Sequence, residues 1–409
     1  MAGGDRIRHP IESKRASPTG SNPWTVVGVF SLIMFVLGSD LNIVAPLVPP
    51  IARSFHVSSG DVGWLVTVFA GGYALASPLA GWLGDQLGNM FKILLGGLGA
   101  FAVFDTLTGL APTYPILVLA RVFTGMSTGA ISPLAYALVA DMISPASRVR
   151  AMSLVSMGFS LSTVAGVPLG LLLAREFGWR GTVISLAVAL VVAGTALKAV
   201  WRPPPSAWGR VPAHRRTHNT RTLVRLTWPS LSASLLAFFA VGMLYTYLPA
   251  FLETRGIRHS TELLYILGGY GAANLVGNYT LGRLGDRRGS VFAVRVAEIA
   301  EAVAITGMGL SAALLPVWTE ILWSWAFAFT QAYIPDLKAL AAAVPGRIRA
   351  SSLAWNNTAM YVGMMIGSGV GARLFCPPRF WLLAAIAAAA ILLGYGLMAH
   401  RRSQPFPED

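Results

Sequence analysis

Gly81-Trp82-Leu83-Gly84-Asp85-Gln86-Leu87-Gly88 and Gly282-Arg283-Leu284-Gly285-Asp286-Arg287-Arg288-Gly289 are two copies of one pattern, G-x-L-G-D-x-x-G, about 200 residues apart. Each copy follows the second long apolar stretch of its half and precedes the third. A polar loop repeated at the same place in two halves of an apolar chain marks an internal duplication. In membrane proteins, duplicated halves rock against one another around a shared site, which is the architecture of a transporter.

Composition supports the same reading. The 409 residues are 55% apolar and 12% charged, with a mean hydropathy of +0.61. Soluble domains carry roughly 25% charge, and a chain this apolar lacks the polar residues to cover a soluble surface. A bilayer core needs about 20 apolar residues per helix. Twelve such stretches lie near 24–51, 63–84, 91–111, 115–140, 151–174, 181–201, 229–252, 262–282, 291–313, 315–335, 351–374 and 380–399. They predict an all-α membrane protein of twelve transmembrane helices in two pseudo-symmetric six-helix bundles. The bundles would be 24–201 and 229–400, joined by a linker at 202–228 and flanked by tails at 1–23 and 401–409. The runs are continuous instead of alternating, which excludes a barrel. Residues 1–23 are polar and basic, and the first apolar stretch has full spanning length, so no cleaved signal is expected. Cys376 is the sole cysteine, so neither an intrachain disulfide nor a cysteine metal cluster can form.

The net charge of +14 is topological in origin. With an even number of spans both termini share one side, and 23 of the 31 Lys and Arg fall on that side. Seven fall on the other, and Arg121 lies within a span. By the positive-inside rule the termini and linker are cytoplasmic. Reporter fusions at Arg210 and Arg258 should therefore show opposite sidedness; the same side for both would break the twelve-span arrangement. Contact with anionic lipid is a secondary consequence of the basic loops, and no nucleic-acid partner is expected. The linker, from Pro203 to Trp228, holds five arginines, two histidines and no acid. A docking site is the alternative to a plain cytoplasmic tether.

Four further segments carry a family resemblance. Ser39-Asp40-Leu41-Asn42 through Pro49 resembles the first-helix motif of proton-coupled drug exporters. Leu117-Val118-Leu119-Ala120-Arg121 through Gly125 resembles their fourth-helix motif. Gly158 to Gly170, ending Ala165-Gly166-Val167-Pro168-Leu169-Gly170, resembles the fifth-helix motif of antiporters. Gly178-Trp179-Arg180 and Trp355-Asn356-Asn357 through Tyr361 look like the same branch. End to end, the chain resembles the twelve-helix type of the major facilitator superfamily. The resemblance implies a cytoplasmic gate at the duplicated loops (Gly81, Asp85 and Gly88; Gly282, Asp286, Arg287 and Gly289) and an antiporter-like bend at Gly166, Pro168 and Gly170. The first loop departs from the family pattern: Gln86, Asn89 and Met90 stand where basic residues are usual. Its latch is weaker than that of the second copy, which keeps Arg287 and Arg288.

Ionisable residues inside spans are Asp40, Asp105, Arg121, Glu298, Glu301 and Glu320 at an edge. Each costs roughly 2.5–3.5 kcal/mol at a helix centre on insertion scales, so each needs a partner or a watery path. Asp40 lies mid-span, followed by Pro46, Pro49 and Pro50, which loosen the helix. A carboxylate in a poorly hydrated cavity beside a cation is what proton coupling requires; a structural tie between helices is the plain alternative. Arg121 keeps its charge, and its expected partner is Asp40, then Asp105. Glu298 and Glu301 are secondary candidates. Arg295 and Glu298 have i,i+3 spacing, which suggests an interfacial ion pair, and Glu320 is expected to be solvated.

Tyr245, Asn274, Asn278, Trp323, Gln331, Asn356, Asn357 and Tyr361 combine amphipathic aromatics with amides, a lining suited to a weakly polar organic compound. Interfacial anchoring is the other role open to the Trp and Tyr. There is no phosphate-binding G-x-x-x-x-G-K-[ST], nucleophile elbow or zinc-ligand helix, so neither ATP-driven transport nor an enzyme is expected, and no cofactor or metal. The expectation is a monomeric secondary transporter of the bacterial inner membrane, a proton antiporter exporting small amphipathic compounds. The alternatives are a symporter or facilitator importing a metabolite, and a transporter-like sensor that moves nothing.

Overall fold

In lipid, an apolar segment satisfies its own backbone polar groups only as a helix. The computed structural model describes residues 23–87, 89–143, 147–201, 220–257, 260–342 and 349–399, and each expected stretch is mainly helical. The first half begins with α1 (Pro23–Phe55), α2 (Ser59–Leu87), α3 (Met90–Leu110) and α4 (Tyr114–Met142). One continuous run then carries spans five and six: α5 (Arg148–Leu161), a single π turn (Ser162–Gly166) and α6 (Val167–Val200). The expected gap between those spans is replaced by a bend at Gly178, with φ 68° and ψ 175°. Glycine adopts that left-handed backbone without strain, so the chain turns there with no loop.

In the second half, α7 (Thr220–Leu244) and α8 (Leu248–Thr254) form span seven, interrupted at residues 245–247. Next come α9 (Ser260–Arg288) and α10 (Ser290–Leu314). Span ten is α11 (Val317–Thr330) and α12 (Ile334–Ala342), joined by a 3-10 turn at Gln331–Tyr333. α13 (Arg349–Leu374) and α14 (Phe380–Ala399) complete the bundle. Among the described residues, seven helical segments are long and apolar enough to cross a membrane by composition alone, and Leu154–Val200 is long enough for two crossings. The helices that fall short are α9, α10, α11–α12 and α13. They hold Asn274, Asn278, Glu298, Glu301, Gln331, Asn356 and Asn357, so inward-facing polar groups dilute their hydropathy.

Glycines set the helix spacing. Gly125 and Gly129 of α4 leave room for the α2 backbone at Phe69 and Tyr73, and Gly363 and Gly367 of α13 receive the α7 carbonyls of Leu235 and Phe239. Lipid tails are as apolar as the side chains, so close backbone packing replaces the hydrophobic drive between helices.

The halves meet through α2 with α13, α1 with α8, and the π turn and α6 with α9. This seam lies away from the G-x-L-G-D loops. At its centre Tyr247 is fully buried. Its hydroxyl donates to the Ser368 carbonyl at 2.8 Å, and its ring fills the notch left by Gly63 and Gly371. The Thr67 and Ser368 hydroxyls are 2.8 Å apart, and Arg53 forms an ion pair with Glu253 at the tips of α1 and α8.

Candidate functional site

Asp40 of α1, Asp105 of α3 and Arg121 of α4 converge inside the first half, exposed by 0%, 0% and 1%. Arg121 Nη1 donates to Asp40 Oδ1 at 2.8 Å and Oδ2 at 3.1 Å, and to Asp105 Oδ1 at 3.4 Å. The guanidinium carbon lies 4.9 Å from the centre of the Phe69 ring, a cation–π contact. One permanent cation thus serves two carboxylates. Arg121 Nε and Nη2 and Asp105 Oδ2 have no hydrogen-bond partner among the described residues. A proton arriving at this triad goes onto a carboxylate, because the arginine holds its own.

The triad does not line the cavity. Leu41 and Asn42, next along α1, do so, while Asp40 faces α3 and α4. Asp40, expected in a poorly hydrated cavity, is instead turned by helical phase to the packed side of α1. Around it α1 rests on the fifth-helix motif. Asn42 Nδ2 donates to Ser162 Oγ at 3.2 Å and to Thr163 Oγ1 at 3.4 Å, Ser39 packs on Gly166 and Ile43 on Gly170. The π turn also touches the second half, where Gly271 of α9 accommodates Thr163 and Val164 and Gly268 faces Pro168. The motif therefore lies between the helix bearing Asp40 and the opposite bundle.

A cavity of about 270 Å³ lies between the halves, on the loop side of the seam. Of the candidate residues, Tyr245, Asn274, Asn278, Gln331, Asn357 and Tyr361 line it; Trp323 and Asn356 do not. The Trp323 ring packs on Gly307 of α10, and Asn356 is buried in hydrogen bonds with Ser234 of α7 at 2.9 and 3.1 Å. Both serve packing within the second half. Sequence reading missed Asn42, Tyr73, Tyr136, Tyr270 and Lys338. The duplication held one usable signal: the 201-residue offset from Asp85 to Asp286 carries Tyr73 onto Asn274. Tyr73 and Tyr361 stack across the two halves with ring centres 3.5 Å apart.

The second-half acids depart from expectation. Glu298 and Glu301 are buried, at 1% and 0% exposure, instead of interfacial. Arg295 makes no ion pair with Glu298 among the described residues; it donates to the Met398 carbonyl at 3.4 Å and lies over the Tyr395 ring. Glu320 is fully buried, not solvated, because α10 and α11 close over it. None of the three lines the cavity. In the second loop motif Asp286, Arg287 and Gly289 are exposed and Gly282 is partly buried. In the first, Gly81 and Asp85 lie on α2, and Gly88 and the Asp85 side chain lie outside the described residues.

Comparison with known proteins agrees with this fold. The family model described as Major Facilitator Superfamily matches residues 30–368. The chain belongs to the major facilitator superfamily: it is a multi-pass membrane transporter, not an enzyme, and carries a small-molecule substrate. The relatives include the "uncharacterized MFS-type transporter YceJ" of Bacillus subtilis (strain 168). It is 28% identical over 359 residues, covering 85% of this chain and 89% of that protein. Among solved structures, a bacterial homologue of the human lysosomal transporter Spinster, inward-facing and unoccupied, has a TM-score of 0.71 at 20% identity. The match covers 94% of this chain and 100% of that one. A D-xylose–proton symporter has a TM-score of 0.73 at 16% identity, covering 91% and 97%. At these identities the structural likeness concerns the fold alone.

Proposed function

We propose that the protein is a proton-coupled antiporter exporting small amphipathic organic compounds by alternating access, as a monomer in the bacterial inner membrane with both termini cytoplasmic. The observation that carries this reading is the sealed Asp40–Arg121–Asp105 triad. It holds a carboxylate beside a permanent cation on the helix whose next residues line the cavity. In this reading Asp40 carries the exchanged proton and Arg121 sets its release. The fifth-helix motif, at Gly166, Pro168 and Gly170, passes the resulting shift of α1 to α9. The seam at Tyr247 is the closed periplasmic gate, and the two G-x-L-G-D loops form the cytoplasmic one. The cavity volume is close to the lower limit of the roughly 300–1,000 Å³ common for drug-sized ligands, which suits a compact substrate.

The test uses everted vesicles with a lumen acidified by respiration, a pH-sensitive dye and a panel of compounds. A transported compound should release protons from the lumen in proportion to its uptake. Uptake of a compound with no proton movement would overturn the coupling.

A further inference from the structure

The charge inside the cavity is one-sided. Among the described residues that line it, Lys338 is the only basic side chain and no carboxylate is present. The buried acids among the described residues lie elsewhere: Asp40 and Asp105 at Arg121, Glu298, Glu301 and Glu320 within the second bundle, and Asp336 towards Gly285 of α9. Lys338 makes no ion pair with any described residue. It lies not in a loop, as the span at 315–335 implied, but on α12, which runs to Ala342.

A second unmatched donor faces the same space. Gln331 lines the cavity at 7% exposure, and its Oε1 accepts from the Tyr270 hydroxyl at 3.1 Å. That bond fixes the amide and leaves Nε2 without a partner among the described residues. Gln331, in the 3-10 turn, and Lys338, on α12, are seven residues apart and both line the cavity. Three of the other amides differ: Asn42 Nδ2 donates to Ser162 and Thr163, Asn274 Nδ2 to the Ala328 carbonyl, and Asn278 Nδ2 to Asn274. Beside these donors lie the Tyr73–Tyr361 stack and the apolar side chains of Met360 and Met364.

We propose that the substrate is an organic monoanion, a carboxylate or sulfonate on an aromatic or aliphatic body. Lys338 holds its anionic head and Gln331 Nε2 a second acceptor. This rests on the transporter reading but not on its proton coupling. A cationic substrate would meet an unneutralised ammonium and find no acid, which makes the cavity selective by repulsion as well as attraction.

The experiment uses the full chain in detergent or nanodiscs and three probes sharing one ring: 1-naphthylacetate, 1-naphthylmethanol and 1-naphthylmethylammonium. Equilibrium titration calorimetry with no pH gradient should rank the carboxylate first. Lys338→Met should weaken the carboxylate about tenfold or more, the scale of one hydrogen bond to a charged group, and leave the alcohol within about twofold. Lys338→Arg should keep the affinity, which separates lost charge from lost folding. The proposal fails if the carboxylate does not bind at millimolar concentration, if the ammonium binds more tightly, or if Lys338→Met leaves the ranking unchanged. Since no gradient is applied, such a failure leaves the proton-flux test untouched, and failure of the flux test leaves this ranking untouched.

Discussion

Asp40→Asn is expected to abolish substrate-evoked proton release, bringing it to the level of vesicles without the protein, while the variant still folds and inserts. The reasons are local. Asparagine has nearly the same shape as aspartate, and its side-chain oxygen still accepts from Arg121 Nη1, which lies 2.8 and 3.1 Å from the two carboxylate oxygens. What is lost is the group that takes and gives the proton. Asp40 is absent from the cavity lining, so equilibrium binding of substrate should stay within about twofold, the scale expected where no contact is removed. Binding without coupling distinguishes this from a damaged fold. The driving force removed is substantial: each charge crossing 100 mV gains about 2.3 kcal/mol, roughly a forty-fold gradient at 1.4 kcal/mol per tenfold. Proton release at wild-type amplitude in Asp40→Asn would reject the assignment. If Asp105→Asn alone silenced release, the proton would belong to α3.

Much of the fold was legible because one polar loop occurs twice at corresponding places, and because lipid admits few backbone solutions. The twelve stretches are mainly helical, and the breaks in the helices were the hidden part. Nothing in the local composition distinguishes Gly178, where spans five and six bend without a loop, from glycines that only pack. The π turn at Ser162–Gly166 falls inside an otherwise helical pattern, and its role emerges only when α1 is laid against it.

The site was legible in chemistry and not in direction. A buried arginine needs an acid, a carbonyl or an anionic ligand, so the cost required a partner for Arg121, with Asp40 preferred and Asp105 second. Its contact with Asp105 as well, and the turn of the whole triad away from the cavity, depend on the rotation of α1, α3 and α4, which near-uniform apolar sequence does not encode. Lys338 shows the same limit. The apolar stretch ends before it, so it counts as a loop cation, yet the helix continues to Ala342 and brings it to the cavity. Glu298 and Glu320 are the converse: residues near span ends that the packing buries.

Arg121→Ala should have the largest effect on stability, and the effect should depend on pH. The substitution leaves Asp40 and Asp105, both fully buried, facing the space where their shared cation was. Removing one partner of a buried ion pair costs about 3–5 kcal/mol when the remaining charge stays. Two neighbouring carboxylates without a cation avoid that cost by holding a proton, so the folded state binds more protons than the unfolded chain. By linkage, stability is then highest at acid pH and falls as pH rises. The thermal unfolding midpoint of the variant should drop most steeply on the alkaline side, relative to wild type. Where activity survives, the pH profile of transport should move to more alkaline values, since the ionised carboxylate that must form in each cycle has lost its stabilising neighbour. Arg121→Lys should rescue only part of both effects. An ammonium restores the charge but not the planar donor set that reaches Asp40 and Asp105 together, nor the flat face presented to Phe69. A pH profile in Arg121→Ala that superimposes on wild type, in a variant shown to be folded, would remove the pair from the coupling mechanism and leave it a structural tie between α1 and α4.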